Sequence, residues 1–174
     1  MPHDLLNAQA ACALAVRAGA TMEACAGSLT CFTGLAHRMA FVTEVAGVRY
    51  VDDSKATTPH ATLAALAGLP GAVLIAGGRN KGLDLAPLAE GRPRAVVAIG
   101  EAAAAVVVVY EGRCPVVTAE SMDEAVSLAH RSADGTGTVL LSPGCSSFDW
   151  YGSYDERGRD FQRLVGALAG TVDR

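Results

Sequence analysis

Three short segments hold most of the residues able to do chemistry: Asp53-Ser54-Lys55-Ala56-Thr57, Gly77-Gly78-Arg79-Asn80-Lys81-Gly82 and Ser142-Pro143-Gly144-Cys145-Ser146-Ser147-Phe148-Asp149. Lysine ammonium groups, serine and threonine hydroxyls and glycine-exposed N–H groups all donate hydrogen bonds, so together they suit an anion, carboxylate or phosphate. Taken singly, each segment reads equally well as an ordinary polar turn. The second lacks the G-x-x-x-x-G-K-[ST] spacing of a phosphate loop. Ser147 lacks the G-x-S-x-G elbow of a hydrolase nucleophile. The five cysteines, Cys12, Cys25, Cys31, Cys114 and Cys145, contain no CxxC pair. They indicate neither a zinc site nor a disulfide framework, and fit a core in a reducing compartment. His60 and His130 sit in helical stretches with no partner at ligand spacing and read as surface histidines; Trp150 reads as a packing or interface aromatic.

Whether the three segments meet depends on what carries them. Each follows a short apolar run, at 48–52, 72–76 and 138–141, and further runs stand at 95–99 and 116–118. Residues 39–43 and 48–52 flank a turn-like Glu44-Val45-Ala46-Gly47, which predicts a hairpin. Thr58 before Pro59 is an N-cap with proline at the first helical position, opening a helix that ends near Gly68. Ser121-Met122-Asp123-Glu124 is a capping box, followed by Ala125, Val126 and Ala129 on one face. Residues 101–110 are placed as helix because they lie between two runs, and the last helix carries Phe161, Leu164, Val165 and Leu168 at helical spacing. Strand–helix alternation with fully apolar strands predicts an α/β fold, a doubly wound, mostly parallel Rossmann-like sheet with helices on both faces. Ligands bind such sheets at the carboxyl ends of the strands, the edge on which all three segments fall. Ahead of this, residues 1–34 predict two helices, about 4–18 and one capped by Thr21, too small to bury an apolar face alone.

The composition sets limits. Of 174 residues, 51% are apolar and 18% charged, enough for a core and too apolar for disorder. A net charge of −4 offers no basic face for nucleic acid. No apolar run nears the roughly 20 residues of a membrane span, and no signal-peptide pattern opens the chain, so the expected location is the cytoplasm.

The stretch 37–165 resembles the C-terminal domain of the Mur ligases, in the form of the member that adds D-glutamate. Asp53-Ser54-Lys55-Ala56-Thr57 is similar to that member's signature, and Leu141 to Asp149 followed by Tyr154, Arg157-Gly158 and Phe161 resembles its last motif in order and spacing. Phe32-Thr33-Gly34-Leu35-Ala36-His37-Arg38 resembles the family's inter-domain junction. His3-Asp4-Leu5-Leu6-Asn7 resembles the end of its central ATPase domain. Asp4 stands where the family usually has an asparagine that helps read adenine, and a carboxylate lacks those donors.

What the resemblance implies is specific. Residues 1–34 would be the tail of the central ATPase domain and 35–174 the C-terminal domain. The family's ligase reaction joins D-glutamate to UDP-N-acetylmuramoyl-L-alanine through an acyl phosphate formed with ATP and Mg2+. Arg38 would be the cation reaching the γ-phosphate and Lys55 would lie near the phosphates. Asp53 would accept from the ribose hydroxyls, with His3, Asp4 and Asn7 flanking the nucleotide. Thr57, Lys81, Ser147, Phe148 and Tyr154 would hold D-glutamate. The family's phosphate loop, metal ligands and modified lysine belong to the central domain, and none of those motifs occurs here. The expectation is therefore a C-terminal portion of the enzyme, catalytically incomplete alone. A free-standing anion-binding module, or another amide ligase such as a folylpolyglutamate synthase, stands as the alternative.

Overall fold

Ala46 and Gly47 both take left-handed backbone angles, with φ of 48° and 82°, in the computed structural model. Two such residues in succession make the tight turn that matches strand twist. It folds β1 (Ala40–Val45) antiparallel onto β2 (Val48–Asp52). The hairpin predicted from sequence is there, but its turn is narrower, because Glu44 and Val45 are strand residues. The structure describes residues 2–172, with side chains from 5 to 170.

The rest of the sheet is parallel. β3 (Val73–Gly77), β4 (Ala95–Ile99), β5 (Val116–Ala119) and β6 (Thr138–Gly144) join the hairpin in the order β1-β2-β6-β3-β4-β5. Every residue of β3 and β4 is buried, which is why these strands read as unbroken apolar runs. Alternate side chains serve opposite faces. Ile75, Val97, Ile99 and Leu141 pack with α5 (Met122–Ala133) and α6 (Tyr154–Val172). Leu74, Val96, Ala98 and Leu140 pack with α3 (Pro59–Gly68), the 3-10 turn Ala86–Glu90 and α4 (Ala103–Tyr110). Each such Val, Leu or Ile side chain contributes about 1.5–3 kcal/mol on burial.

The helix starts follow their caps. Thr58 Oγ1 accepts from the Ala61 N–H and Ser121 Oγ from the Glu124 N–H. The return bond of the Ser121 box differs from the standard pattern, since Glu124 takes the N–H of Glu120.

The chain divides into two compact units, Met1–Leu35 and Ala36–Arg174. The first holds α1 (Pro2–Arg17) and α2 (Met22–Cys31), with Thr21 capping α2 through the Ala24 N–H. Its large apolar side chains Leu5, Leu6, Leu14, Met22 and Phe32 are exposed.

Candidate functional site

At the carboxyl ends of β2 and β6 the chain builds a buried polar frame. Asp52, at the end of β2, accepts from the Ser54 N–H through Oδ1 (2.9 Å) and from Gln162 Nε2 through Oδ2 (2.7 Å). Asp53 accepts from the Met39 N–H (3.2 Å) and from the Ser142 hydroxyl on β6 (2.8 Å). Burial pushes the Asp53 carboxyl up to about 6; the bonds from Ser142 and Met39 and the nearby Arg38 charge oppose this, while Asp52 adds to it.

Arg157 of α6 ties the frame together. It is 1% exposed, and its partners are oxygens other than carboxylates. Nε donates to Ser54 Oγ (3.0 Å), Nη2 to the Ser54 carbonyl (2.8 Å), and Nη1 to the Cys145 carbonyl (3.2 Å). Ser54 Oγ in turn donates to the Tyr154 carbonyl (2.7 Å). One guanidinium thus fastens the loop after β2 to the loop after β6. Burial lowers it to about 10, which leaves it charged at neutral pH.

The loop after β3 lies against the same frame. Arg79 exchanges backbone bonds with Ser146, at 2.9 Å and 3.0 Å. Gly78 has φ of 124°, and a β-carbon there would run into the Ser146 carbonyl, so only glycine admits this approach. The segment after β4 is less bland than its sequence suggests. Glu101 pairs with Arg79 at 2.8 Å, which lowers the Glu101 carboxyl and raises the Arg79 guanidinium, and the Glu101 N–H donates to Asp149. Arg79 is therefore neutralised locally, whereas Lys81 has no carboxylate partner among the described residues.

Above the frame stand exposed side chains in two pairs. Lys55 Nζ donates to the Tyr154 hydroxyl (3.3 Å) and lies 5.1 Å from the centre of its ring. Lys81 Nζ lies 5.2 Å from the centre of the Phe148 ring. Each pair joins a lysine from one segment to an aromatic from another, a cation–π arrangement that orients an ammonium without consuming its charge. The side-chain hydroxyls of Thr57 and Ser147 make no hydrogen bond among the described residues, although Ser147 is buried. Arg38 is half-buried, flanked by two non-glycine residues with left-handed backbones, His37 (φ 58°) and Met39 (φ 48°).

Of the residues singled out from sequence, Arg38, Asp53, Lys55, Thr57, Lys81, Ser147, Phe148 and Tyr154 all lie in or beside the segments that leave β2, β3 and β6. No hydrogen bond or ring contact joins the Lys55–Tyr154 pair to the Lys81–Phe148 pair among the described residues. Asn7 is exposed on α1, and the side chains of His3 and Asp4 lie outside the described residues. Sequence reasoning gave no role to Arg157, Asp52 or His37. Arg157 carried a legible signal, four positions before Phe161 on the buried stripe of α6. His130 is corrected: it is a half-buried partner of Tyr50, whose hydroxyl it meets at 2.7 Å.

Known proteins match this chain closely. The family model described as Mur ligase, glutamate ligase domain, matches residues 37–145. The UDP-N-acetylmuramoylalanine--D-glutamate ligase of Methylococcus capsulatus is 46% identical over 171 residues, covering 96% of this chain and 37% of that protein. The ligase of the same name from Chlorobium limicola is 44% identical over 170 residues, covering 95% and 37%. The chain spans about 37% of the length of these relatives. Among solved structures, a murein peptide ligase from Psychrobacter arcticus shares the fold with a TM-score of 0.64 at 20% identity, covering 96% of this chain and 37% of that one.

Proposed function

Because this chain belongs to the Mur ligase family through its glutamate ligase domain, we propose that it supplies the D-glutamate-binding and phosphate-facing part of an ATP-dependent ligase. That ligase joins D-glutamate to UDP-N-acetylmuramoyl-L-alanine in the synthesis of a peptidoglycan precursor in the cytoplasm. The observation that carries the reading is the pair of exposed lysines, Lys55 and Lys81, each seated on an aromatic ring beside hydroxyls that the protein does not use. Two ammonium groups and two free hydroxyls on one sheet edge match a dicarboxylate and a phosphoryl group.

In this scheme Lys81, Thr57, Ser147, Phe148 and Tyr154 hold D-glutamate, while Lys55 faces the phosphates. Arg38 offers its guanidinium to the γ-phosphoryl group as an acyl phosphate forms, and the D-glutamate amine then displaces phosphate. The chemistry is chiefly positioning and charge neutralisation. Asp53 takes the ribose hydroxyls with the lone pairs left over from Met39 and Ser142, and the nucleotide roles of His3, Asp4 and Asn7 are carried over from the family resemblance alone. Residues 1–34 then form the tail of a central ATPase domain and 35–174 the C-terminal domain. Among the described residues no three His, Cys, Asp or Glu side chains converge as metal ligands. In this reading magnesium is held by residues of the longer ligase, and no step here passes through it. The chain alone is expected to release no phosphate from ATP.

The test is Arg38→Ala in the full ligase. Removing a donor aimed at developing charge costs about 3 kcal/mol, a rate loss of about a hundredfold. Trapping the acyl phosphate measures that step directly. A parental rate of acyl-phosphate formation would remove Arg38 from the mechanism and with it the phosphate-facing reading.

A further inference from the structure

His37, Arg38 and Met39 lead into β1, and the two outer residues hold backbone angles that side chains rarely adopt, φ of 58° and 48°. Such conformations persist only where the surroundings over-determine them. Each of the two has its own anchor. The buried His37 ring lies between carboxylates from different elements, Nδ1 2.6 Å from Asp52 of β2 and Nε2 3.0 Å from Asp155 of α6. Gln162 donates to the same Asp52 oxygen, and the ring fills the space that a β-carbon at Gly158 would need. The Met39 N–H is held by Asp53. Consecutive carboxylates, Asp52 ending β2 and Asp53 just beyond it, therefore grip the residues on either side of Arg38, whose own side chain makes no bond among the described residues. The His37 carbonyl also accepts the Lys55 N–H at 2.9 Å, so the same anchor reaches the signature loop.

We infer that His37, clamped between Asp52 and Asp155, is a positioning residue that sets the backbone of Arg38 and Lys55 before any ligand arrives. The inference rests on the reading of Arg38 as the phosphate-facing cation. Its physical content is preorganisation: a cation held in place costs no ordering when charge develops beside it.

Two measurements test it. In this 174-residue chain, amide exchange at Met39 and Lys55, whose N–H groups are bonded to Asp53 and to the His37 carbonyl, should quicken roughly tenfold in His37→Ala while β3 and β4 stay protected. Asp155→Ala, altered at a side chain 40% exposed, should show the same change to a smaller degree with the fold intact. In the full ligase, His37→Ala should lower kcat by roughly tenfold with the KM for D-glutamate moving less than about twofold. His37→Gln, which keeps a donor toward Asp52, should recover part of that loss. The double variant with Arg38→Ala should lose clearly less than the product of the two single losses, keeping only the part that runs through Lys55, a non-additivity that a merely structural histidine would not produce. Unchanged exchange in Asp155→Ala and His37→Ala, or additive rate losses, would overturn the clamp. Should Arg38→Ala itself leave the rate intact, the phosphate-facing reading fails, while the exchange data still judge the clamp.

Discussion

The frame beneath the candidate site and the side chains above it are built on opposite plans. Below, Asp52, Asp53, Ser54, Ser142 and Arg157 are 5% exposed or less, and each makes side-chain hydrogen bonds inside the protein. Above, Lys55, Lys81, Phe148 and Tyr154 are held by an aromatic contact or a single long hydrogen bond, and Thr57 stands half-buried with its hydroxyl unused. A buried polar network commits the loops to one arrangement because every unmet bond there is expensive. Exposed groups with spare donors keep their hydrogen-bonding capacity for a ligand. Substitutions below should therefore change stability, and substitutions above should change ligand affinity.

Arg157→Ala is the strongest test of that division. It strands the Ser54 and Cys145 carbonyls in a dry interior, and bonds to a charged donor are worth about 1.5–3 kcal/mol each. The relief of a buried charge offsets part of this, so the expected loss is about 4 kcal/mol by urea unfolding. Arg157→Lys should recover little, because a single ammonium cannot span Ser54 and Cys145 as the guanidinium fork does. Parental stability in both variants would show that the two loops hold together without the clamp.

The next largest effect concerns Asp53, a frame residue proposed to touch nucleotide as well. Its carboxyl rises from 3.8 to about 6 on folding, so the folded state holds its proton more tightly than the unfolded chain. Below about pH 4 both states are protonated and the group costs nothing. As pH climbs from there through 6 the unfolded chain ionises first and stability is lost, to a limit of about 3 kcal/mol. Asp53→Asn should flatten the stability curve between pH 4 and pH 7 and leave the neutral protein more stable than the parent, while weakening nucleotide binding. Equal slopes for the two proteins in denaturant melts across that range would show that Asp53 is not destabilised by burial.

Much of the frame's scaffold is legible in the sequence because its determinants are local. Thr58-Pro59 and Ser121 announce helix starts, and the runs ending at Ile99 and Leu141 announce strands whose exits must share an edge. The frame's bonds are not local. His37 meets Asp52 across 15 positions, and Arg157 meets Ser54 across 103. An aspartate at the end of an apolar strand gives no sign of which partner will satisfy it. The exposed layer shows the reverse pattern. Lys55 and Lys81 stand out by residue type in their segments and gain their roles, like Phe148 and Tyr154, from the resemblance, yet the pairing of each lysine with an aromatic is a tertiary fact that no spacing encodes.

Lys81 tests the upper layer. Its ammonium is expected to take one carboxylate of D-glutamate and Ser147 another polar group of the same molecule. Charge-assisted bonds of this kind are worth about 1.5–3 kcal/mol, so Lys81→Ala should raise the KM for D-glutamate about tenfold to a hundredfold. The KM for ATP should move far less, and the unfolding free energy should stay within about 0.5 kcal/mol of the parent. Steady-state kinetics with each substrate varied in turn decides between this and a solvated turn lysine, for which neither KM would change.

The smallest expected effect is the most discriminating about how the upper layer is held. Lys55 meets Tyr154 in two ways, a 3.3 Å hydrogen bond to the hydroxyl and a position 5.1 Å from the ring centre. A bond of that length between exposed groups contributes little, since water replaces it readily. An exposed cation–π contact contributes about 0.5–1 kcal/mol. Tyr154→Phe removes the hydroxyl and keeps the ring, so stability should change by less than about 0.5 kcal/mol and the KM for ATP by less than about twofold. Tyr154→Leu removes the ring as well and should free the Lys55 ammonium, raising that KM severalfold. The Ser54 bond to residue 154 runs to its carbonyl and survives both changes, while Tyr154→Leu alone also removes the edge contact of the ring with His37. Combining each variant with Lys55→Met closes a double-mutant cycle. Coupling to Lys55 should be near zero for the hydroxyl and measurable for the ring. Equal coupling for both would mean that the hydrogen bond, and not the ring face, sets the lysine, and the exposed layer would then be held in the same way as the frame below it.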